Sequence, residues 1–495
     1  MPKHLFRILC ACFLSLSLLL TSCGNLLEDV SSSDSDTSRG ALSLGSITTA
    51  SFPVTFMEGI QATVEASAGD IFAAPSYAVT QYNLVYYTID AQNNLTKASA
   101  KLLIPGNSTD LDLVVYLHGT TSLDADAPTN AYADFSAFDG VDPNTIDHNI
   151  ADMPETAMLM SFVADTNIAV LMPDYLGFGA SEGLHPYMHG ASLASATIDA
   201  IRAALNFASI SSNPFSLTGD FTLTGYSEGG YAVMATHKEL LADDGSVESA
   251  YVDIMGSEGA HLKAVIPGAP PCNISQQMAA VMLPPAGYGY PAPAFAAYVA
   301  LAYNEIYDIE ANISTIFSPT YNYIIDDFDG SKSLTTMTGE FLAGNIFPPT
   351  PISMFSTDFQ DAILADYTAI SGDYSATPAD DFYQKFKEND VFDYNPGTAY
   401  YEIIYTASDE IVPSINATEA AAKLGSYGRL VNYTDYDPST GASTDTTGKI
   451  NLFPDPNDGL YVGAKSVDSS ALIHSSAAGF YIGKSFIVSK TLLSL

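Results

Sequence analysis

A serine in a glycine-flanked turn is the residue of this chain best suited to nucleophilic chemistry. Residues 225–229 read Gly-Tyr-Ser-Glu-Gly; a β-rich run ends at Gly225, and a helix-forming run begins after Ser227. A Gly-x-Ser-x-Gly turn between a strand and a helix exposes its serine hydroxyl above the carboxyl edge of a sheet. Both flanking positions favour glycine, because so tight a turn leaves no room for a Cβ. The pattern therefore predicts Ser227 as a nucleophile.

A second match to the same pattern lies at residues 179–183, which read Gly-Ala-Ser-Glu-Gly. A glycine-rich turn precedes Ser181, where a strand is required. The residues that follow, Gly-Leu-His-Pro, do not continue a helix. We therefore expect Ser181 to lie in an ordinary loop.

The order of residues along the chain selects a general base. A serine hydroxyl becomes nucleophilic when a base takes its proton and an acid holds that base in the right tautomer. After a nucleophile turn of this kind, the acid and then the histidine follow along the chain. His237, His261 and His474 are the histidines after Ser227. The first lies on the helix that leaves the turn, and the second precedes any acid at a late strand end, so we predict His474.

The acid is predicted just past a late strand. Asp409 follows the run at residues 400–405 and precedes a Val-Pro pair, a position from which a carboxylate reaches the sheet edge. Glu410 is the nearest alternative, and Asp435 or Asp437 after the next strand comes after it. Aspartate is also common in such turns for purely conformational reasons.

Two backbone N–H groups are predicted to stabilise a tetrahedral oxyanion. One belongs to Glu228, the residue after the nucleophile, and the other to the loop after the third predicted strand. That loop contains His118 and Gly119, and we assign the second donor to Thr120, or to Thr121 if the turn is displaced. His118 precedes the nucleophile in the chain, so we expect it to orient this loop rather than to transfer protons.

Strands and helices alternate in a way that predicts an α/β fold with a mostly parallel, eight-stranded sheet flanked by helices. Runs at residues 113–117 and 168–172 are apolar throughout, as in buried parallel strands. The helix-like runs lie at residues 192–208, 231–241, 417–424 and 475–488. The eight predicted strands lie at residues 81–89, 95–104, 111–117, 167–172, 221–224, 263–266, 400–405 and 429–433.

Between the sixth and seventh predicted strands the alternation is interrupted. Residues 272–397 are rich in Ala, Pro, Tyr and Phe and contain helix-like runs. Loops at this edge of a sheet build active sites, so we predict a largely helical cap here. A purely structural excursion is the alternative. The core would then consist of a first part, residues 51–271, and a second part, residues 398–495.

The first residues resemble an export signal. A basic start is followed by an apolar stretch too short to span a bilayer, and then by Leu-Thr-Ser-Cys at residues 20–23. This is similar to the lipidation signal of bacterial lipoproteins, with cleavage after residue 22 and acylation of Cys23. An ordinary secretory signal is the alternative. Residues 23–50 read as a flexible tether. We expect lipid anchoring to a membrane of the cell envelope, at the outer membrane or cell surface.

Composition limits the partners and cofactors. The chain of 495 residues has 56 acidic and 17 Lys or Arg residues, a formal net charge of −39. Such a charge repels nucleic acid. Cys10 and Cys12 leave with the signal, so Cys272 is the thiol that remains besides Cys23. A disulfide within the chain and a cysteine-based zinc site are therefore not expected, and the chemistry above requires no metal or organic cofactor.

Several of these stretches together resemble the α/β-hydrolase superfamily, and in particular bacterial relatives of the secretory lipase family that carry a cap. The resemblance extends over about residues 80–485. It implies that Asp174 and Tyr175 shape the loop after the fourth strand and, with His118, Gly119 and Tyr226, bound a substrate pocket. The segment at residues 438–447 departs from the family pattern. The matching stretches are residues 117–120, 173–179, 185–187, 225–230 and 409–413.

The expected function is hydrolysis of carboxylic esters through an acyl-enzyme on Ser227, with lipids or other apolar esters as substrates. A serine peptidase or aminopeptidase on the same fold is one alternative, since the same groups cleave amides. A non-catalytic, surface-binding lipoprotein is another. The sequence leaves the acyl-chain length, the alcohol moiety and the oligomeric state open.

Overall fold

The computed structural model describes residues 36–68, 72–106, 109–131, 154–242, 251–256, 261–310, 312–406, 409–427, 432–437, 442–445 and 474–494. The predicted signal segment, Cys23 and the first part of the tether lie outside these residues. No helix of the described part is long and apolar enough to cross a membrane.

One sheet organises the described part of the chain, and it contains all eight predicted strands. Two short edge strands, β1 and β10, were not predicted; they extend the sheet to ten strands in the described residues. The strand order is β1-β2-β3-β5-β4-β6-β7-β8-β9-β10. The strands are β1 (Thr48–Phe52), β2 (Val79–Ile89), β3 (Leu95–Pro105), β4 (Leu111–Leu117), β5 (Ile168–Pro173), β6 (Leu217–Tyr226), β7 (Leu262–Gly268), β8 (Tyr400–Tyr405), β9 (Asn432–Asp437) and β10 (Ala442–Asp445).

Within this order, the six neighbouring strands β5, β4, β6, β7, β8 and β9 run parallel to one another, and the strands at both edges of the sheet pair antiparallel. Parallel strands need long crossovers, and helices supply them here. The carboxyl ends of β4, β6, β7 and β8 consequently meet at one edge. The predicted third, sixth and seventh strands are β4, β7 and β8.

The start of the chain corrects the predicted tether. Residues 39–50 were assigned to a flexible segment, but they pack on the sheet beside β2. Gly40 N–H donates to Tyr87 O and Ser43 N–H donates to Val85 O. Arg39 also forms an ion pair with the buried carboxylate of Asp199, at 2.9 Å. Composition alone missed this, because a free edge strand pairs through backbone groups that any sequence carries.

Both faces of the sheet are covered by helices. Alternate side chains of β4 enter different cores: Leu113 and Val115 lie in one, and Val114 and Tyr116 in the other. The first core contains α3 and α4, and the second contains α1, α2 and α12. The helices are α1 (Val54–Ala68), α2 (Pro154–Asp165), α3 (Gly190–Ala208), α4 (Glu228–Leu240), α5 (Val252–Met255), α6 (Ala279–Met282), α7 (Ala294–Tyr307), α8 (Leu334–Ala343), α9 (Thr357–Gly372), α10 (Asp381–Glu388), α11 (Ile415–Gly425) and α12 (His474–Leu493).

The segment between β7 and β8, called the insertion below, contains α6–α10, a π-helical turn at Ile274–Met278 and several 3-10 turns. Its apolar side chains join the core that also holds α3 and α4. Its two ends meet: Val391 N–H donates to Cys272 O at 2.9 Å, and Ser275 Oγ donates to the buried carboxylate of Asp390 at 2.5 Å. The insertion thus leaves and rejoins the core at nearly one point.

The connection between β6 and α4 is too tight for side chains at its glycines. A Cβ on Gly225 would lie 2.6 Å from the carbonyl oxygens of Leu117 and Gly229. A Cβ on Gly229 would overlap the carbonyl oxygen of Leu117 outright. The end of β4 therefore presses directly against the first turn of α4, and this contact requires glycine.

We predict that Gly229→Ala destabilises the fold, because the end of β4 must move to admit a methyl group. The free energy of unfolding should fall by about 1–3 kcal/mol or more. Gly339→Ala in α8 is the matched control, since no atom outside its chain neighbours and its own helix backbone lies within 4 Å of its Cβ position. This change should stabilise the fold by about 0.5–1 kcal/mol. Urea unfolding measures both, and equal midpoints for the two variants would contradict the described contact.

Candidate active site

Ser227 lies between β6 and α4 in a backbone conformation that only few residues adopt. Its φ is 60° and its ψ is −120°. Such a conformation costs on the order of 1–3 kcal/mol and persists where the surroundings enforce it. Here Ser227 N–H donates to Gly268 O at 2.9 Å, and Ser227 O accepts from Tyr231 N–H at 3.1 Å. The turn holds the serine at the carboxyl edge of the sheet, in the geometry of a nucleophile turn.

The structure brings the predicted base and acid together with this serine. The Nε2 atom of His474 lies 2.8 Å from Ser227 Oγ. The Nδ1 atom of the same ring lies 2.7 Å from Asp409 Oδ2. With the proton on Nδ1, the imidazole donates to the carboxylate and accepts from the serine hydroxyl. This is the arrangement that lets a histidine take a serine proton.

Asp409 and Glu410 occupy different positions, although both were candidates for the acid. Asp409 Oδ1 accepts the N–H groups of Ile411 at 3.0 Å and Val412 at 2.7 Å, while Oδ2 faces the imidazole. Glu410 Oε2 instead accepts the backbone N–H of His474, at 2.9 Å. A carboxylate at the first N–H of a helix is stabilised by the helix dipole. Asp435 and Asp437 lie on β9, in a segment whose side chains are not described.

Helix α12 carries His474 at its first residue, and two tyrosines hold this end. Tyr226 Oη donates to His474 O at 2.9 Å, and the two rings lie 4.9 Å apart. The Tyr481 hydroxyl donates to Ile266 O and accepts the Gly225 N–H at 2.8 Å. The base is therefore positioned by contacts to the two strands that flank the nucleophile.

The candidate oxyanion donors lie on two elements that touch. Glu228 is the first residue of α4, so its N–H is one of the unpaired donors at a helix N-terminus. The loop after β4 approaches from the other side: a Cβ on Gly119 would lie 3.9 Å from Ser227 Cβ. Thr120 follows Gly119 directly. The space beside Ser227 is thus bordered by both elements that were expected to donate.

The ring of His118 lies between two backbone carbonyl oxygens, 2.8 Å from Gly119 O and 3.2 Å from Asp174 O. It packs on Tyr175, with ring centroids 4.2 Å apart, and Tyr175 Oη donates to His118 O. These contacts fix the start of the loop after β4. They agree with the expectation that His118 orients this loop.

Asp174 is buried and its carboxylate is enclosed by donors. Ser99 Oγ donates to it at 2.5 Å, and the Thr129 hydroxyl and backbone N–H donate as well. Burial raises the pKa of this carboxyl, and the hydrogen bonds from Ser99 and Thr129 oppose that rise. Both carboxylate oxygens of Asp174 therefore accept hydrogen bonds, and these bonds connect the end of β5 to Ser99 and Thr129.

An apolar cavity opens on Ser227. Most of its lining comes from the insertion. Apart from the hydroxyls of Ser227 and Tyr187, the side chains are aliphatic, aromatic or thioether. The lining residues are Tyr187, Met188, Ser227, Pro271, Ile274, Met278, Ala279, Met282, Phe295, Ala296, Val299, Ala300, Ile352, Phe355, Phe359, Ile363, Phe382, Phe386, Ile411 and Val412.

The five residues that were expected to bound a pocket are not among these lining residues. His118, Gly119, Asp174, Tyr175 and Tyr226 instead form the layer beneath and beside Ser227. The physical reason is that their polar groups bond to neighbouring groups of the core, while most of the cavity lining comes from the insertion. The lining could not be predicted from the sequence, because few local patterns indicate which face of an inserted helix points into a cavity.

Sequence reasoning also missed a buried contact between a histidine and a glutamate next to Ser227. His185 Nε2 lies 2.7 Å from Glu228 Oε1, and His185 Nδ1 lies 2.7 Å from Leu176 O. Both side chains of the pair are almost fully buried. The His-Pro-Tyr stretch at residues 185–187 was recognisable in the sequence. The contact of His185 with Glu228 could not be predicted, because the two residues lie 43 positions apart.

The remaining candidates lie elsewhere. His237 is buried against Tyr394, and burial lowers its pKa to about 3. His261 pairs with Asp220 at the opposite end of β6 and β7. Ser181 lies in a loop, and the eight residues after it form neither strand nor helix. Cys272 is buried, and burial raises the pKa of its thiol. None of these groups contacts Ser227.

Part of the chain matches a known protein family. Residues 150–241 match the model of the secretory lipase family. No curated protein matches the chain significantly.

Among solved structures, a protein from Legionella pneumophila described as a hydrolase is 23% identical, with a TM-score of 0.66 over 90% of this chain and 97% of its own. The rice cell wall degrading esterase LipA from Xanthomonas oryzae is 24% identical, with a TM-score of 0.62 over 92% and 98%. The chain therefore shares the fold of these solved structures, and its residues 150–241 are similar to the secretory lipase family.

Proposed function

We propose that this protein hydrolyses carboxylic esters through an acyl-enzyme on Ser227. The observation that carries the proposal is the continuous hydrogen-bonded series from Asp409 through His474 to Ser227, with the serine at the floor of an apolar cavity. The family match and the esterase among the similar structures support the same reaction class.

In the first half of the reaction, His474 Nε2 takes the proton of Ser227 as Oγ attacks the ester carbonyl carbon. The carbonyl π bond opens and its electron pair moves to oxygen, giving a tetrahedral oxyanion. The N–H groups of Glu228 and Thr120 donate to this oxygen. When the carbonyl re-forms, the bond to the alcohol oxygen breaks, and the alcohol leaves with the proton from His474.

In the second half, water attacks the acyl-enzyme by the same steps. His474 accepts a proton from water, the oxyanion forms again between the same donors, and Ser227 Oγ leaves with that proton. Asp409 remains ionised and stabilises the imidazolium that forms twice in each cycle. Its hydrogen bonds from Ile411 and Val412 keep Oδ2 directed at the imidazole.

The cavity indicates the substrate class. Among the residues that line it no side chain carries a charge, so an ionic or strongly polar substrate group would lose its hydration without replacement. An apolar acyl chain would instead gain by leaving water. We infer that the insertion acts as a cap over an acyl site, and that lipids or other apolar esters are the substrates.

The location is proposed from the first residues together with the family match. A secretory lipase relative is expected outside the cytoplasm or in the envelope. We propose that Cys23 is lipidated after removal of residues 1–22 and anchors the protein to a membrane. Several acyl chains, at about 0.8 kcal/mol per buried CH₂, would hold it there firmly.

A peptidase is the second candidate, since the same three side chains can cleave amides. An aminopeptidase needs a carboxylate to hold the substrate ammonium, and the described lining offers none. We therefore expect p-nitrophenyl acyl esters to be turned over faster than aminoacyl nitroanilides by the tether-free protein. Faster turnover of the anilides would overturn the esterase assignment.

Replacing the nucleophile should abolish the reaction. Ser227→Ala is expected to lower kcat by about four to six orders of magnitude and to remove labelling by a fluorophosphonate probe. Ser181→Ala, which alters the other Gly-x-Ser-x-Gly match, should leave both unchanged. Near-normal activity of Ser227→Ala would place the nucleophile elsewhere. A wild-type protein that is neither labelled nor active would favour a binding role.

The two neighbouring acids should differ sharply in their effect. Asp409→Asn is expected to lower kcat by about 10⁴, because an amide favours the wrong tautomer of His474. Glu410→Gln keeps an oxygen that accepts the His474 N–H and loses only the charge at the helix end, so the loss should stay below about tenfold. Steady-state kinetics on one ester measures both variants, and the reverse order would assign the acid to Glu410.

A further inference from the structure

The loop after β4, residues 118–124, contacts the insertion as well as the core. Its first residues are fixed from the core side by the contacts of His118. Its later residues hydrogen-bond to the insertion, and Leu123 forms a β-bridge with Gly330. Three hydrogen bonds join the two: Tyr298 Oη donates to Thr121 O at 3.3 Å, Ser122 Oγ donates to Lys332 O at 2.8 Å, and Asp124 N–H donates to Gly330 O at 2.9 Å.

Tyr298 lies at the centre of these contacts. Its ring stacks on Tyr187, with centroids 4.5 Å apart and planes 11° from parallel. On its other side it stacks on Phe328, also at 4.5 Å. All three rings are buried. The hydroxyl of Tyr187 in turn lies 3.2 Å from Thr120 Oγ1. Tyr298 therefore contacts Thr121 by a hydrogen bond and reaches Thr120 through Tyr187.

The segment that carries Phe328 and Gly330 is itself fixed. Lys332 Nζ lies 2.6 Å from Asp327 Oδ1 and 3.1 Å from Glu340 Oε1, which ties it to α8. Tyr298, on α7, is held between this segment and Tyr187. The loop after β4 thus contacts a part of the insertion that is itself joined to α8 by ion pairs.

We propose that Tyr298 is a positioning residue for the second oxyanion donor, so that the insertion sets the geometry in which Thr120 donates. This rests on the proposed function, because it assigns a role within the same reaction. The oxyanion gains from N–H groups that are already in place when charge develops. A misplacement of about 1 Å can cost as much as about 10² in rate.

The role predicts a specific kinetic signature. Tyr298 is absent from the cavity lining, although Ala296, Val299 and Ala300 of the same helix belong to it. Loss of the Tyr298 hydroxyl should therefore leave substrate binding nearly unchanged. The donor matters only when the carbonyl oxygen becomes charged, so the effect should fall on kcat and on the binding of transition-state analogues.

The test compares Tyr298→Phe with Tyr321→Phe in the full chain. Both changes keep a buried ring and remove one hydroxyl that donates to a backbone carbonyl; Tyr321 donates to Ile346 O at 2.9 Å, within the insertion. We expect Tyr298→Phe to lower kcat about tenfold with KM within about twofold, and to weaken inhibition by an alkyl boronic acid by a similar factor. Tyr321→Phe should change neither.

A second variant guards against a purely structural loss. Ser122→Ala removes the donor to Lys332 O, and it should reproduce the kcat effect in part while the unfolding midpoint stays near that of Tyr321→Phe. Equal kcat and boronate inhibition for Tyr298→Phe and Tyr321→Phe would overturn the positioning role alone. A raised KM at unchanged kcat would also overturn it. A wild-type protein without Ser227-dependent ester hydrolysis would instead overturn the proposed function, and this inference with it.

Discussion

The burial of the Tyr481 hydroxyl between β6 and β7 fixes the geometry of the site. It bonds to Ile266 O and accepts the Gly225 N–H, just before the turn that presents Ser227. His474 lies seven residues earlier on α12, two helical turns away and on the same face. A helix anchored at Tyr481 therefore places its first residue over the nucleophile. Asp409, at the end of β8, needs only a short turn to meet it.

Polar and apolar side chains lie on opposite sides of the carboxyl ends of the strands. On the side of the core, His118 and Asp174 have partners for their polar atoms, and these bonds fix the loops that surround Ser227. On the side of the insertion lies a cavity with almost no polar side chain. Buried polar groups require such partners, whereas an apolar volume needs none. This division leaves Ser227 Oγ and its neighbouring N–H groups as the polar feature that an ester would meet.

The sequence predicted the eight central strands and the order Ser227, Asp409, His474, because local turn chemistry and chain order constrain both. It could not predict the edge strand β1, whose pairing uses backbone atoms, and so residues 39–50 were assigned to the tether. The five residues expected to bound a pocket do not line the cavity that opens on Ser227. The contact from Tyr298 to Thr121 spans 177 residues, and the stack of Tyr187 on Tyr298 joins the core to the insertion. Such contacts follow from tertiary packing, for which no local pattern exists.

The groups of the candidate site are therefore held in place by different parts of the structure. Ser227, His474 and Asp409 are held by the strands, α12 and their turns, so in the proposed mechanism the activation of Ser227 depends on the core. The loop with Thr120 is held on one side by His118 and on the other by Tyr298, so in that mechanism stabilisation of the oxyanion would depend on the insertion as well. A displacement of the insertion would then leave proton transfer from Ser227 intact, but it would weaken the stabilisation of the transition state that follows. An acyl chain bound in the cavity would pack against the same insertion, which would link substrate binding to the geometry of the proposed donors.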